Sequence, residues 1–283
     1  MRLLVGYDGS DGGRDALELA RMLDSGKSVS ALVVAVMPDG SLPTRFTRLE
    51  HNAAAEAEPL LEEARERLRD LSVETRAFGG GSPAAVMTDL AEAEDIDMIV
   101  IGSPHRGAVG RTLIGSVAEG VLHGAPCAVA VAPRGYAEQG HGPFALIAVA
   151  YDGAPESKAA LTRARELAES RGAVVRVLTV VAPPVALPGV VGYTPIEPPE
   201  PASVIEEGVK ALGTRISVEA RRLDGPPADT LAKACEDGVD LLVVGSRGYG
   251  PALRVLLGSV STRLISQAPC PVLVVPRPRA DLG

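Results

Sequence analysis

The chain contains itself twice. Residues 97–133 read DMIVIGSPHRGAVGRTLIGSVAEGVLHGAPCAVAVAP, and residues 240–276 read DLLVVGSRGYGPALRVLLGSVSTRLISQAPCPVLVVP. With no gap, 16 of these 37 positions are identical at an offset of 143 residues. The opening segments match as well: Val5-Gly6-Tyr7-Asp8-Gly9 recurs as Val149-Ala150-Tyr151-Asp152-Gly153. A unit of this length buries its own core, so the period signals a duplicated domain rather than a solenoid built from short repeats. The 283 residues divide into domains at 1–137 and 143–283, with the polar, glycine-rich stretch 134–143 reading as a linker.

Each unit alternates apolar runs with helical patterns. The first unit has expected strands at 3–7, 29–36, 73–78, 98–101 and 128–132, and expected helices at 11–23, 53–71, 83–93 and 112–122. The second repeats the order, with strands at 146–150, 174–181, 218–222, 241–244 and 272–275 and helices at 156–169, 202–212, 228–236 and 253–265. Such alternation implies right-handed crossovers and an open parallel sheet covered on both faces. Aromatic residues are only 3% of the chain, so the core must be Val, Leu, Ile and Ala, which suits helices layered closely on a parallel sheet. Residues 38–52 and 182–201 break the pattern, the latter with seven prolines in twenty residues. Proline excludes regular hydrogen-bonded structure, so both read as surface loops, either plain insertions or lids over a ligand.

Several function classes fall away. At net charge −8, with no long basic run and few rings for stacking, the chain is a poor partner for nucleic acid. No apolar run approaches the roughly 20 residues of a membrane span, and the start turns polar too early for a signal peptide. Cys127, Cys235 and Cys270 are too widely spaced for a disulfide framework or a zinc site, and His51, His105, His123 and His141 show no metal spacing. A reduced, soluble, cytoplasmic protein is expected, with the cysteines as small apolar filler.

Ligands of open parallel sheets bind beyond the carboxyl ends of the strands. There the repeat preserves Asp8 and Asp152 after the first strand and a glycine-rich segment after the fourth. That segment runs Gly102-Ser103-Pro104-His105-Arg106-Gly107 up to Gly115-Ser116-Val117, and Gly245-Ser246-Arg247-Gly248-Tyr249-Gly250 up to Gly258-Ser259-Val260. Glycines let backbone N–H groups approach an anion, and the helix that follows adds a positive dipole end. Ser116 and Ser259 can donate a hydroxyl, while Arg111 and Arg254 can supply charge. A carboxylate across the cleft would repel phosphate if adjacent, so Asp8 and Asp152 suit ribose hydroxyls or an adenine amine instead. A Walker loop is excluded because Gly26-Lys27-Ser28 would need glycine where Arg21 stands. The Gly-x-Gly-x-x-Gly dinucleotide fingerprint is missing after the first strand.

The pattern resembles the universal stress protein family, whose nucleotide-binding members carry Gly-x2-Gly-x9-Gly-Ser/Thr after the fourth strand. Gly245, Gly248, Gly258 and Ser259 match it at every position. Asp8 and Asp152 look like the family's adenine- and ribose-side Asp. Val36 and Val180, each 28 residues after that Asp, stand where the family lines the adenine. The first unit departs from the motif, with His105 in place of the second glycine, while Gly107, Arg111, Gly115 and Ser116 remain. The second unit, with Ala150 for Gly6, is the more complete. The resemblance implies an α/β fold of two tandem open-sheet domains, each a five-stranded parallel sheet of order 3-2-1-4-5 with helices on both faces. It implies one adenine-nucleotide site per domain, for ATP with AMP or ADP as alternatives, and Mg²⁺ carried on the phosphates.

Nothing outside the nucleotide loop repeats with catalytic residues, so a stress-response regulator that binds ATP is expected rather than an enzyme. A slow ATPase or phosphotransferase and a nucleotide-free dimerisation scaffold are the rival readings. The last strands, 128–132 and 272–275, close each sheet with an apolar edge, which is a pairing surface. The resembled family pairs domains through this strand, implying an intramolecular pseudo-dimer and leaving a homodimer of whole chains open. Pro271 fits only such an edge.

Overall fold

A computed structural model describes residues 1–24, 29–37, 46–103, 115–183, 201–246 and 258–276, with side chains throughout except at 46–52 and 201. The first half runs β1 (Arg2–Gly6), α1 (Asp11–Met22), β2 (Ser30–Met37), α2 (Phe46–Arg67), β3 (Ser72–Gly79), α3 (Pro83–Ala93), β4 (Met98–Gly102), α4 (Ser116–Leu122) and β5 (Ala128–Ala132). A single 3-10 turn, Tyr136–Glu138, follows. The second half runs β6 (Leu146–Ala150), α5 (Pro155–Arg171), β7 (Val174–Val181), α6 (Pro201–Leu212), β8 (Val218–Asp224), α7 (Pro227–Ala234), β9 (Leu241–Gly245), α8 (Ser259–Gln267) and β10 (Val272–Val275).

Each half has the expected order 3-2-1-4-5, and the two are continuous as one ten-stranded sheet, β3-β2-β1-β4-β5-β10-β9-β6-β7-β8. All neighbours are parallel except β5 and β10, which pair antiparallel. Their register is Val131 with Val272, Ala130 with Leu273 and Val129 with Val274. Ala130 and Leu273 are themselves repeat equivalents, so this pair lies on a pseudo-twofold axis, and the contact is self-complementary like that of a symmetric dimer. Pro271 sits just outside β10, where no ladder N–H is required, and its carbonyl accepts from Leu242 N at 2.9 Å.

Side chains alternate across the sheet, as period-two geometry demands. From β1, Leu3, Val5 and Tyr7 enter one apolar layer, beneath α1, α2, α5 and α6, while Leu4 enters the other, beneath α3, α4, α7 and α8. Both layers draw residues from both halves. Central strands such as Ala128–Ala132 are buried on both faces and therefore read as unbroken apolar runs. The outer strands β3 and β8 carry Glu74, Arg76, Glu219, Arg221 and Arg222, charges that blunt an exposed edge.

Expectations change at several helix starts and in the linker; the helices expected from 112 and 253 begin at Ser116 and Ser259, after the extended Gly115 and Gly258. Helix α2 starts at Phe46, not at residue 53, after Pro38, Gly40 and Pro43, and it accommodates Pro59 within its length; residues 38–45 and 184–200 are outside the described residues. The linker is also more than a tether. Tyr136 is buried and stacks on His141 at 3.8 Å, and the buried Asp15 carboxylate accepts from Gly135 N (2.9 Å) and Ala137 N (2.7 Å). Across the halves, the Arg171 guanidinium donates to the Leu23 carbonyl and lies over the Phe144 ring.

Candidate functional site

Two clefts open at the carboxyl ends of the strands. The first, about 270 Å³, lies among the ends of β1, β2 and β4 and the starts of α1, α3 and α4. The second, about 400 Å³, lies among their repeat counterparts. Every residue lining the first cleft has its repeat equivalent lining the second. Because β5 and β10 run antiparallel, the strands of the two halves point in opposite directions, and the clefts open at opposite ends of the sheet.

The expected residues converge where they are described. Gly6, Asp8, Val36, Gly102 and Ser103 line the first cleft beside Gly115, Ser116 and Val117. Asp152, Val180, Gly245 and Ser246 line the second beside Gly258, Ser259 and Val260. His105, Gly107, Arg111, Arg247, Gly248, Gly250 and Arg254 lie outside the described residues.

The backbone explains the convergence. Asp8 follows β1 and its Oδ1 accepts from Ser10 N (3.0 Å) and Ser10 Oγ (2.5 Å). Ser10 caps α1, accepting from Gly13 N at 3.1 Å. The aspartate is thus oriented through one oxygen, leaving Oδ2 for a ligand. In the second half Asp152 Oδ1 accepts from Ala154 N at 3.0 Å, and α5 starts without a side-chain cap. Gly115 and Gly258 are the N-caps of α4 and α8, both extended and without a capping side chain, so the first N–H groups of each helix remain available at the cleft. Val36 with Val117 and Val180 with Val260 supply apolar lining.

Gly102 has a second role that the motif alone does not reveal. A Cβ on it would lie 1.8 Å from the Gly12 carbonyl oxygen, because the start of α1 rests directly on the end of β4. Gly245 is constrained in the same way by the backbone of Glu156, at 2.7 Å. The exchange of Gly6 for Ala150 is compensated: a Cβ on Gly6 would meet Met87 Sδ at 2.9 Å, and the second half has Leu231 in place of Met87.

Sequence reasoning missed Tyr7 and Tyr151, which line the clefts from beneath. The repeat could have flagged them, since Tyr7-Asp8 recurs as Tyr151-Asp152. Each hydroxyl is buried without a hydrogen bond of regular geometry, and each has a carboxylate of the next helix beside it, Glu63 for Tyr7 and Glu207 for Tyr151. Burial is the main cause that raises both phenols above their ordinary range. The Tyr7 hydroxyl, with Arg14 and Arg67, holds the Glu63 carboxyl down at about 2. Arg14 Nε and Arg67 Nε both donate to Glu63 Oε1 at 3.0 Å. Lys158 replaces Arg14, its Nζ 2.8 Å from Glu207 Oε1. Each triad ties α1 or α5 to the following helix at the cleft rim. Among the described residues no group of three His, Cys, Asp or Glu side chains is placed to hold a metal, and no helix is long and apolar enough to cross a membrane.

A doubly wound α/β sheet duplicated in tandem, with an aspartate and an uncapped helix start facing each other in both clefts, defines the class. The model of the universal stress protein family matches residues 1–133 and 144–276. The chain belongs to that family. It is 29% identical over 304 residues to a universal stress protein of Mycobacterium tuberculosis, covering 98% of this chain and 100% of the relative. Another universal stress protein of Mycobacterium tuberculosis is 31% identical, over 78% of this chain and 74% of its own length. Among solved structures, a universal stress protein from Archaeoglobus fulgidus matches the fold at a TM-score of 0.75 and 24% identity, covering 98% of both chains.

Proposed function

We propose that this chain is an adenine-nucleotide-binding regulatory protein with one site in each half, acting in the cytoplasm in a stress response. The observation that carries this reading is the matched pair of clefts. Each sets a carboxylate, Asp8 or Asp152, opposite a helix start whose cap, Gly115 or Gly258, leaves its N–H groups bare. Bare amides with a dipole suit phosphate, a carboxylate suits ribose hydroxyls or the adenine amine, and valines suit the ring faces. ATP, ADP or AMP fits this donor set, with Mg²⁺ carried on the phosphates. The loop residues Arg111, Gly248 and Arg254 belong to the same reading through the motif. By that motif the second site is the more complete, since His105 replaces a glycine in the first.

The halves form an intramolecular pseudo-dimer, a reading supported by the self-complementary register of β5 and β10. Both closing strands are thereby occupied, so a homodimer of whole chains needs another surface. Native mass spectrometry of the purified, undigested protein tests the function, with two adenine nucleotides per chain expected. Asp8→Ala and Asp152→Ala should each remove one equivalent. Flat calorimetric titrations with ATP, ADP and AMP would leave only the scaffold. Phosphate release well above spontaneous hydrolysis, abolished by Gly258→Ala, would move the reading to an ATPase.

A further inference from the structure

A third cavity lies where the linker crosses the second half. It holds about 210 Å³ and is walled by Tyr136, His141 and Phe144, in and just after the linker, and by Glu236, Asp240 and Cys270. These last three stand just past α7 and just before β9 and β10, so the cavity is at the opposite end of the second half from its cleft. Duplication does not account for it. The linker has no repeat counterpart, and Glu236 stands where the first half has Ala93.

One wall is held in place before any ligand arrives. Asp15 fixes the turn at 135–137, His141 Nε2 donates to the Tyr136 carbonyl at 2.8 Å, and the two rings stack. Tyr136 is only 3% exposed, yet no described residue hydrogen-bonds its hydroxyl. Burial is the main cause that raises this phenol, and Glu18, Asp240 and Cys270 add to it. Asp240 and Cys270 are cavity residues, so the hydroxyl is on the cavity side. A phenylalanine would pack and stack equally well, so packing does not explain the hydroxyl.

The charged lining is all acceptor. Asp240 Oδ2 takes the Ala145 and Leu146 amides, both at 2.8 Å, while its Oδ1 has no hydrogen bond. Glu236 forms no ion pair or hydrogen bond among the described residues. With His141 Nε2 committed as a donor, Nδ1 of the neutral ring is left as an acceptor. No lysine or arginine lines the cavity. Arg171, 5.8 Å from the Phe144 ring centre, gives its donors to the Leu23 and Leu167 carbonyls. We propose that this cavity binds a small aliphatic amine as its ammonium ion. Tyr136 and Asp240 accept its N–H groups, Glu236 adds attraction, and the aromatic rings cover its methylenes. The volume lies below that of pockets for drug-sized ligands, which suits a chain of about six heavy atoms.

Calorimetric titration of the whole chain, stripped of nucleotide, with 1,4-diaminobutane tests this, and 1,4-butanediol is the uncharged probe of equal length. The diamine should bind once per chain in the millimolar range, and the diol at least roughly tenfold more weakly. Tyr136→Phe, which keeps the ring and its stack, should weaken the diamine about tenfold, as loss of a hydrogen bond to a charged group does. Glu236→Gln should weaken it about threefold. Glu119→Gln, an exposed position outside the lining, should leave it unchanged. The site is overturned by any of four results: no saturable heat up to roughly 20 mM diamine, equal binding of the diol, an equal loss on Glu119→Gln, or unchanged affinity on Tyr136→Phe or Glu236→Gln. Glu236 is exposed, so its variant decides the matter even if Tyr136→Phe fails to fold.

Discussion

Gly102→Ala is the smallest perturbation that separates packing from ligand binding at the first cleft. A methyl group there would sit 1.8 Å from the Gly12 carbonyl oxygen, 2.4 Å from its carbon and 2.8 Å from its Cα. Ordinary contact is about 3.5–4 Å. The obstacle is backbone, so no rotamer change relieves it, and the start of α1 must lift from β4 by more than an ångström. Overpacking of this kind costs about 3 kcal/mol, the upper part of its usual range. In a chain of this size each kcal/mol moves the melting midpoint by about 2–3 °C, so a fall of roughly 7 °C is expected by calorimetry. Because Ser10, Gly12 and Asp8 move with α1, adenine-nucleotide affinity in the first cleft should fall together with stability while the second cleft keeps its own. Gly140→Ala is the control, with nothing within 4 Å of the added methyl and no left-handed backbone to strain. If Gly102→Ala melts within a degree of the parent, the close approach of α1 to β4 is not what requires glycine there, and the packing argument for Gly245 fails with it.

Asp15→Ala removes both acceptors that hold the linker turn and should cost about 2–3 kcal/mol, with faster hydrogen exchange at the Gly135 and Ala137 amides; unchanged exchange would mean the turn stands without Asp15. Glu63 has a folded pKa of about 2 against roughly 4.3 for a free glutamate, so its contribution is complete above the higher value and vanishes as pH falls through the lower one. Glu63→Gln should therefore flatten the acid limb of a stability–pH curve between about pH 5 and 2, and an identical limb in parent and variant would count against the triad. Burial pushes the Cys127 thiol up to about 12, and Cys235 together with burial pushes Cys270 up further. The buried Cys235 and Cys270 should resist a thiol-specific reagent at pH 8 until denaturant is added, with the half-buried Cys127 the first to react, an outcome read by absorbance; rapid labelling of Cys270 in the folded protein would contradict its burial.

How much of this was legible depended on whether a segment's neighbours were local. The strands announced themselves as apolar runs because most lie between two helical layers, and Ala128–Ala132, Leu146–Ala150 and Val174–Val181 fall where the pattern puts them. Helix α2 was clipped at its start since 46–52 has no apolar face strong enough to outweigh the prolines before it. The cleft residues were readable from the repeat, which marks positions held fixed for a shared reason. It does not say which reason: Gly102 reads as a phosphate glycine and is also a helix-contact glycine. Least legible was the linker, where a polar, glycine-rich string hides a turn whose Gly135 and Ala137 amides donate to Asp15 and whose buried Tyr136 stacks on His141, contacts visible only once α1 is folded beneath it.

The antiparallel seam between β5 and β10 also limits what the two clefts can do for each other. In-line transfer needs reacting atoms about 3–3.5 Å apart, and these clefts sit at opposite ends of a sheet whose central strands are four or five residues long. At about 3.3 Å per residue that is some 15 Å of strand, so a phosphoryl group in one cleft has no acceptor in the other. A phosphotransferase built on this chain would need an acceptor from outside. What the halves do share is the seam itself, where Ala130 meets Leu273 on the pseudo-twofold axis with both apolar layers running past it. Gly102 and Gly245 lie at the far ends of β4 and β9, each one strand removed from that seam. The seam thus joins the halves into one sheet while it holds the two clefts apart.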